Sequence, residues 1–206
     1  MLIKRIGIIF FFFTFCWQTC LASIERPEVM LERITTDMIS ALKKNDQILK
    51  KDPNRVVEII DKILVPYMDS ASMAKWVAGR NAWRKASPSQ RARFTSEFRD
   101  LLIRTYGATL LEYKNQKVEY LPLRGSLDGK KRVLVSSLIR EPGKESLKLT
   151  YRLVAKPDRW KVYDISIEGV SLLKGFKSQF SQELERTDMD KVSAKLQEYN
   201  KKEITR

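Results

Sequence analysis

Few residues in this chain could do chemistry. It has 206 residues with no His, and its two Cys, Cys16 and Cys20, lie close to the N-terminus. Without His, neither a Ser-His-Asp nor a Cys-His unit can be assembled, and most zinc and copper sites lose their usual ligand. Acid–base work would fall to carboxylates, Lys, Tyr or Ser. The most suggestive grouping is Asp164, Ser166 and Glu168, which alternate with Tyr163, Ile165 and Ile167. On a strand, carboxylates four residues apart stand roughly 13 Å apart, too far for either glycosidase geometry. They read as solvated, or paired with Lys and Arg. One carboxylate beside a Tyr at the mouth of a curved sheet would be the form of an enzymatic alternative. Gly125 to Lys130 spells G-x-x-x-G-K, but it is one residue short of a phosphate loop, lacks the following Ser or Thr, and joins two strands; it reads as a hairpin turn.

Charge is the other conspicuous feature: 39 Lys and Arg against 25 Asp and Glu give a formal net charge of +14. The basic residues are spread through the chain, at Lys43-Lys44, Lys50-Lys51, Arg84-Lys85, Arg91, Lys130-Lys131-Arg132 and Lys201-Lys202. No basic tail or aromatic-interleaved basic strand stands out. That is a solvated basic surface, or a docking face for an acidic partner or anionic head groups; nucleic acid is not expected as a partner.

The N-terminus explains part of this composition. Lys4 and Arg5 precede an apolar run from Ile6 to Phe15, and Cys20-Leu21-Ala22 leads into Ser23. This is the plan of a secretory signal peptide cleaved after Ala22. The run is shorter than the roughly 20 residues a membrane span needs, and neither Cys follows the small residues of a lipoprotein site. The expected organisation is a signal peptide over 1–22 and one domain over 23–206. Cleavage removes 22 residues, both Cys, Lys4 and Arg5, leaving 184 residues with a charge of +12. Such a chain folds without disulfides in an oxidising compartment, so burial must stabilise it.

The elements that would position any site follow from periodicity. Met30, Ile34, Met38 and Leu42 recur every four residues, and the helical pattern runs from Pro27 to Met68 with a fresh start at Asp52-Pro53. A short helix spans about Ser70 to Ala78, with Gly79 in the left-handed closing position. Ser87-Pro88-Ser89-Gln90 is a capping box with Pro at the first helical position. The helix it opens carries Phe94, Phe98, Leu101, Leu102, Tyr106, Leu110 and Tyr113 on one stripe to about Lys114. Beyond Gln116 the period becomes two. Four strands are expected, around Val118 and Tyr120, Val133 to Ile139, Leu147 to Leu153, and Trp160 to Ile167. Two helices follow, at about Ser171 to Leu184 and Met189 to Tyr199, the second opened by Thr187-x-x-Asp190. Helices, an antiparallel meander, then helices make an α+β fold with the long helix packed on the sheet.

Placed on these elements, certain strings gain meaning. Leu64-Val65-Pro66-Tyr67-Met68-Asp69, Trp83 through Arg91 with Phe94 and Phe98, Tyr106 through Tyr113, and Trp160-Lys161-Val162-Tyr163-Asp164-Ile165 followed by Ile167-Glu168-Gly169-Val170-Ser171 together resemble the MlaC, or toluene-tolerance, family. The resemblance covers about Met30 to Leu196. It implies an NTF2-like curved four-stranded sheet, a long helix and added helices around an apolar cavity for the acyl chains of a glycerophospholipid. It also implies a non-enzymatic periplasmic carrier with no cofactor beyond its lipid cargo. Such a carrier would shuttle between an outer-membrane lipoprotein–porin complex and an inner-membrane ABC lipid transporter, sustaining outer-membrane lipid asymmetry. The cavity would be lined by Leu110, Tyr113, Val133, Val135, Tyr151, Leu153, Tyr163, Ile165, Ile167 and Val170. Arg84 and Arg91 would serve partner docking or helix-end stabilisation. An acid–base enzyme and a non-catalytic envelope adaptor are the alternatives.

Overall fold

The computed structural model of the protein describes residues 24–113, 116–202 and 204. The signal-peptide reading lies outside these residues. Among the described residues no helix is long and apolar enough to cross a membrane.

The helical N-terminal third is α1 (Pro27–Lys44), α2 (Asp46–Lys51), α3 (Val56–Ile63), α4 (Ser70–Ala78), α5 (Arg80–Lys85) and α6 (Pro88–Leu111). The helical pattern is divided at Asn45, which its periodicity did not show, and at Asp52, where a fresh start was expected. Asp52 Oδ1 accepts from the Asn54 amide and opens a 3-10 turn, Pro53–Arg55, ahead of α3. α5 has no apolar stripe long enough to announce it. Gly79 has φ 79° but ψ 162°, so it extends the chain between two helices instead of closing one in the left-handed helical region. The capping box of α6 forms in full: Ser87 Oγ accepts from the Gln90 amide at 3.2 Å, and Gln90 Oε1 accepts from the Ser87 amide at 2.8 Å. α6 stops at Leu111, one turn before Lys114.

The sheet holds five antiparallel strands in sequential order. These are β1 (Lys117–Tyr120), β2 (Arg132–Arg140), β3 (Leu147–Ala155), β4 (Trp160–Ile167) and β5 (Val170–Ser171). The expected count of four missed β5, a two-residue strand formed when Glu168, at φ 47°, and Gly169, at φ 81°, fold the chain back on β4. Ser171 then caps α7 (Leu172–Arg186). Asp188 caps α8 (Met189–Asn200) by accepting from the Lys191 amide at 2.9 Å, in place of Thr187.

A bulge in β4 changes the faces. Leu153 pairs with Val162 and Arg152 with Asp164, so Tyr163 is the extra residue. Val162 and Ile165 therefore share the inner face. Tyr163, expected beside Ile165 and Ile167, instead lies under the Arg132 guanidinium, 5.6 Å from its ring centre, and Arg132 and its neighbour Val154 belong to the outer face.

Two apolar clusters hold the molecule together. The larger joins the inner sheet face to α1, α4, α6, α7 and α8, with Phe94, Phe98, Phe176 and Phe180 interlocked at 5.5 to 6.4 Å between ring centres. The smaller joins the end of α1, α2, α3 and the second half of α6 around Val56, Ile60 and Ile103. Ile63 and Leu64 touch both. α6 thus serves both clusters, and its backbone neighbours are α8, α4 and α3.

Candidate functional site

The inner sheet face is a set of cross-strand rows, and their burial changes in order. Val133, Leu153 and Val162 form the innermost buried row. In the next, Val135 is 0% exposed while Tyr151 and Ile165 are half-buried. Tyr120, Ser137, Leu149 and Ile167 follow, half-buried apart from Ser137. The last row, toward the β2–β3 turn, holds Val118, Ile139 and Leu147, with Leu147 39% exposed; beside Ile167, Val170 is 68% exposed. From Leu153 to Leu147 the strand runs about 20 Å at ~3.3 Å per residue. One apolar surface therefore leads from a solid core into solvent.

Side chains from the helices border this surface. Ile63, Leu64, Tyr67 and Met68 come from the α3–α4 passage, Tyr106 from α6 and Phe176 from α7, all half-buried against the larger cluster. The α3–α4 passage is pinned to the free edge of β4: Met68 bridges Val162, and the Asp69 amide donates to the Val162 carbonyl at 2.8 Å. Buried Asp69 caps α4 through Ser72 and accepts from Lys156 Nζ at 2.9 Å. Burial works to raise its pKa, but the bonds from Lys156 and Ser72 outweigh it and hold the carboxyl below its ordinary value. Tyr67 lies between two guanidiniums, those of Arg33 at 5.5 Å and Arg159 at 5.4 Å.

Polar groups are set into the floor at mid-depth. Thr35 Oγ1 of α1 and the Tyr120 hydroxyl share a hydrogen bond of 2.6 Å, and Ser137 Oγ and the Tyr151 hydroxyl approach to 3.4 Å. The two tyrosine rings are 5.9 Å apart. Burial, above all, raises the Tyr120 pKa well beyond its ordinary value, so the phenol stays protonated. Burial also raises the Tyr106 phenol.

The residues expected around a cavity divide accordingly. Val133, Val135 and Leu153 are buried in the larger cluster, whereas Tyr151, Ile165 and Ile167 lie on the partly open part of the same face. Leu110 and Tyr113 belong to the smaller, helical cluster, where the Tyr113 hydroxyl donates to the Gln116 carbonyl at 2.9 Å. Val170 is at the exposed rim, and Tyr163 is on the outer face. Sequence reasoning missed Tyr120, Leu149 and Thr35. The first two were legible from strand alternation, while Thr35 sits on a polar position of α1 and gave no signal.

The other candidates resolve simply. Asp164 is buried on the outer face, where it accepts from Ser171 Oγ at 2.8 Å and lies 3.5 Å from Arg152 Nε. Glu168 is past the end of β4 and accepts from the Lys148 amide. The two carboxylates therefore tie β5 and the β3 start to β4. Arg91 donates to the Trp83 and Arg84 carbonyls at 2.8 and 3.3 Å, and its guanidinium lies over the Trp83 ring at 5.7 Å. It closes the C-terminal end of α5; Arg84 takes part through its carbonyl. Gly125 to Lys130 is a turn within the β1–β2 connection, in which Ser126 donates to Asp128 at 2.6 Å. Among the described residues no three His, Cys, Asp or Glu side chains converge as metal ligands would.

Comparison with known proteins matches this arrangement to a family. The model of the MlaC protein family matches residues 32–198. The toluene tolerance protein ttg2D of Pseudomonas putida is 29% identical over 170 residues, 82% of this chain and 78% of that protein. The intermembrane phospholipid transport system binding protein MlaC of Haemophilus influenzae is 26% identical, over 84% of this chain and 81% of that protein. A phospholipid-binding protein from Ralstonia solanacearum, solved in complex with a phospholipid, superposes with a TM-score of 0.76 at 30% identity, over 85% of this chain and 97% of that structure. This chain belongs to the MlaC protein family.

Proposed function

We propose that the protein is a periplasmic carrier of glycerophospholipid, exported by a signal peptide over residues 1–22 and acting without catalysis or cofactor. The observation that carries this reading is the graded inner face of the sheet, an apolar floor continuous from the core at Val135 to the rim at Leu147 and Val170. The relatives named for phospholipid binding and transport support it. Acyl chains would lie over Tyr151, Ile165, Leu149 and Ile167, beneath α1, the α3–α4 passage, α6 and α7, with the head group toward the rim. The accessible floor suits a chain: one leaflet of a bilayer offers about 15 Å of hydrocarbon, half of ~30 Å.

The energetics dictate how such a carrier must work. Withdrawing one sixteen-carbon chain from water is worth on the order of 10 kcal/mol at ~0.8 kcal/mol per CH₂. Release into water would therefore be negligible, whereas transfer into another apolar site is near neutral. A soluble carrier needs partners that receive the chains directly, here an outer-membrane lipoprotein–porin complex and an inner-membrane ABC lipid transporter. Its basic surface suits acidic docking faces on them, with association that weakens as salt rises. Arg91 contributes indirectly, by fixing the α5–α6 corner that presents Arg84.

Native mass spectrometry of the purified secreted protein, followed by lipid extraction, tests the reading. Phospholipid in stoichiometric amount is expected. Protein that is empty as purified and takes up no lipid from vesicles would sink it.

A further inference from the structure

The mid-depth hydroxyls tie α1 to β1 through Thr35 and Tyr120, and β2 to β3 through Ser137 and Tyr151. Thr35, Tyr120, Ser137 and Tyr151 come from α1, β1, β2 and β3, and they meet on a face otherwise built from Val, Leu and Ile. Apolar replacement of a buried polar cluster is often neutral or stabilising for the fold, so hydroxyls retained in an apolar floor call for a ligand acceptor.

Proton counting defines that acceptor. Each hydroxyl carries one proton and can also accept. Thr35 with Tyr120, and Ser137 with Tyr151, form two pairs at 2.6 and 3.4 Å. Even if the pairs bond to each other through the adjacent tyrosines, four hydroxyls in a chain use at most three protons among themselves. At least one is left to give. Among the described residues no Lys or Arg bonds to these hydroxyls, so the recipient they suit is a neutral acceptor. A phosphate placed here would lose its hydration with no counter-charge, at a cost of several kcal/mol.

We propose that this hydroxyl inlay is the subsite for the ester carbonyls of a diacyl lipid, holding the junction between head group and chains at a fixed depth. The proposal rests on the carrier reading and adds selectivity to it: lipids whose chains are joined by esters are preferred over those joined by ethers, which present no carbonyl.

The test compares diacyl phosphatidylethanolamine with its dialkyl ether analogue of equal chain length, each presented in vesicles to delipidated protein, in wild type, Tyr120→Phe and Tyr151→Phe. Wild type is expected to retain the diacyl lipid about five- to tenfold better, the worth of one or two hydrogen bonds. Each Phe variant should lose most of that preference, the diacyl lipid falling more than the ether lipid. Ser137→Ala, which leaves both rings in place, provides the same comparison if a Tyr variant melts early. Equal retention of both lipids by wild type overturns the proposal while leaving the carrier reading intact, and so does an equal loss of both lipids in the variants. Failure of wild type to take up either lipid overturns both.

Discussion

The two ends of the inner sheet face are made of the same strands and nearly the same residue types, yet they do opposite things. At one end Val133, Val135, Leu153 and Val162 are buried against helices; at the other, Ile139, Leu147, Leu149 and Ile167 carry the same alternation toward solvent. The difference lies in what stands opposite. The first end belongs to one buried cluster with Phe94 and Phe98 of α6 and Phe180 of α7. Over the second, helices border the sheet without covering it. Strand alternation establishes which face is apolar, and only the partner layer determines whether that face is core or binding surface.

The largest effect should come from breaking the filled end. Phe98 is 1% exposed and contacts the rings of Phe94, Phe176 and Phe180. Phe98→Ala is expected to cost about 3–5 kcal/mol, read from the denaturant midpoint. A cost under ~1 kcal/mol would mean that this end is as open as the other. Next comes the pin between the α3–α4 passage and β4. Asp69→Ala removes both the Lys156 partner and the α4 cap. A loss of about 1–2 kcal/mol is expected, moderated because the Lys156 side chain is 36% exposed. The pH dependence has a definite sign. The Asp69 carboxyl is held below its ordinary value of 3.8, so its contribution is complete above that pH and is lost as pH falls through the lower folded-state value. Melting curves of wild type and variant should converge in acid.

The open end predicts the converse. Leu147→Ser and Val170→Ser change exposed positions and should move stability by no more than ~0.5 kcal/mol, while lipid uptake from vesicles slows severalfold. Equal stability together with unchanged uptake would place the mouth elsewhere.

How far this division was legible in the sequence depends on the kind of signal. The capping box at Ser87 and the alternation of β2 and β3 are local, and both formed as read. β5 was hidden because two residues have no periodicity, and α5 because six residues between Gly79 and Ala86 cannot show an amphipathic stripe. The bulge at Tyr163 left a trace in the sequence: in W-K-V-Y-D-I-S-I the apolar residues change phase between Val162 and Tyr163, as an extra residue there requires, but only the pairing with Arg152 and Leu153 shows that the strand runs on through it. The place of Tyr151, Ile165 and Ile167 on the inner face followed from alternation, whereas the assignment of Leu110 and Tyr113 to another cluster depended on where α3 packs. The resemblance to a lipid-binding family supplied what periodicity could not, a reason to look for an uncovered apolar face.

The smallest effect probes that other cluster, where α3 crosses α6 at Gly107. A Cβ built on Gly107 would meet Val56 Cγ1 at 3.4 Å, Ile60 Cδ1 at 3.5 Å and Ile204 Cδ1 at 3.6 Å. These are contact distances to the tips of side chains, so the methyl group fits with little adjustment. Gly in a helix interior costs roughly 0.5–1 kcal/mol relative to Ala, and Gly107→Ala should recover most of it, raising the denaturant midpoint slightly with lipid uptake unchanged. The uptake rate discriminates. If the smaller cluster is solid core, like the filled end of the sheet, the added methyl gains contacts as well as helix propensity. If α3 must move away from α6 to admit a lipid, the tighter contact slows uptake even as stability rises, and the boundary between core and binding surface shifts from the sheet to the α3–α6 crossing.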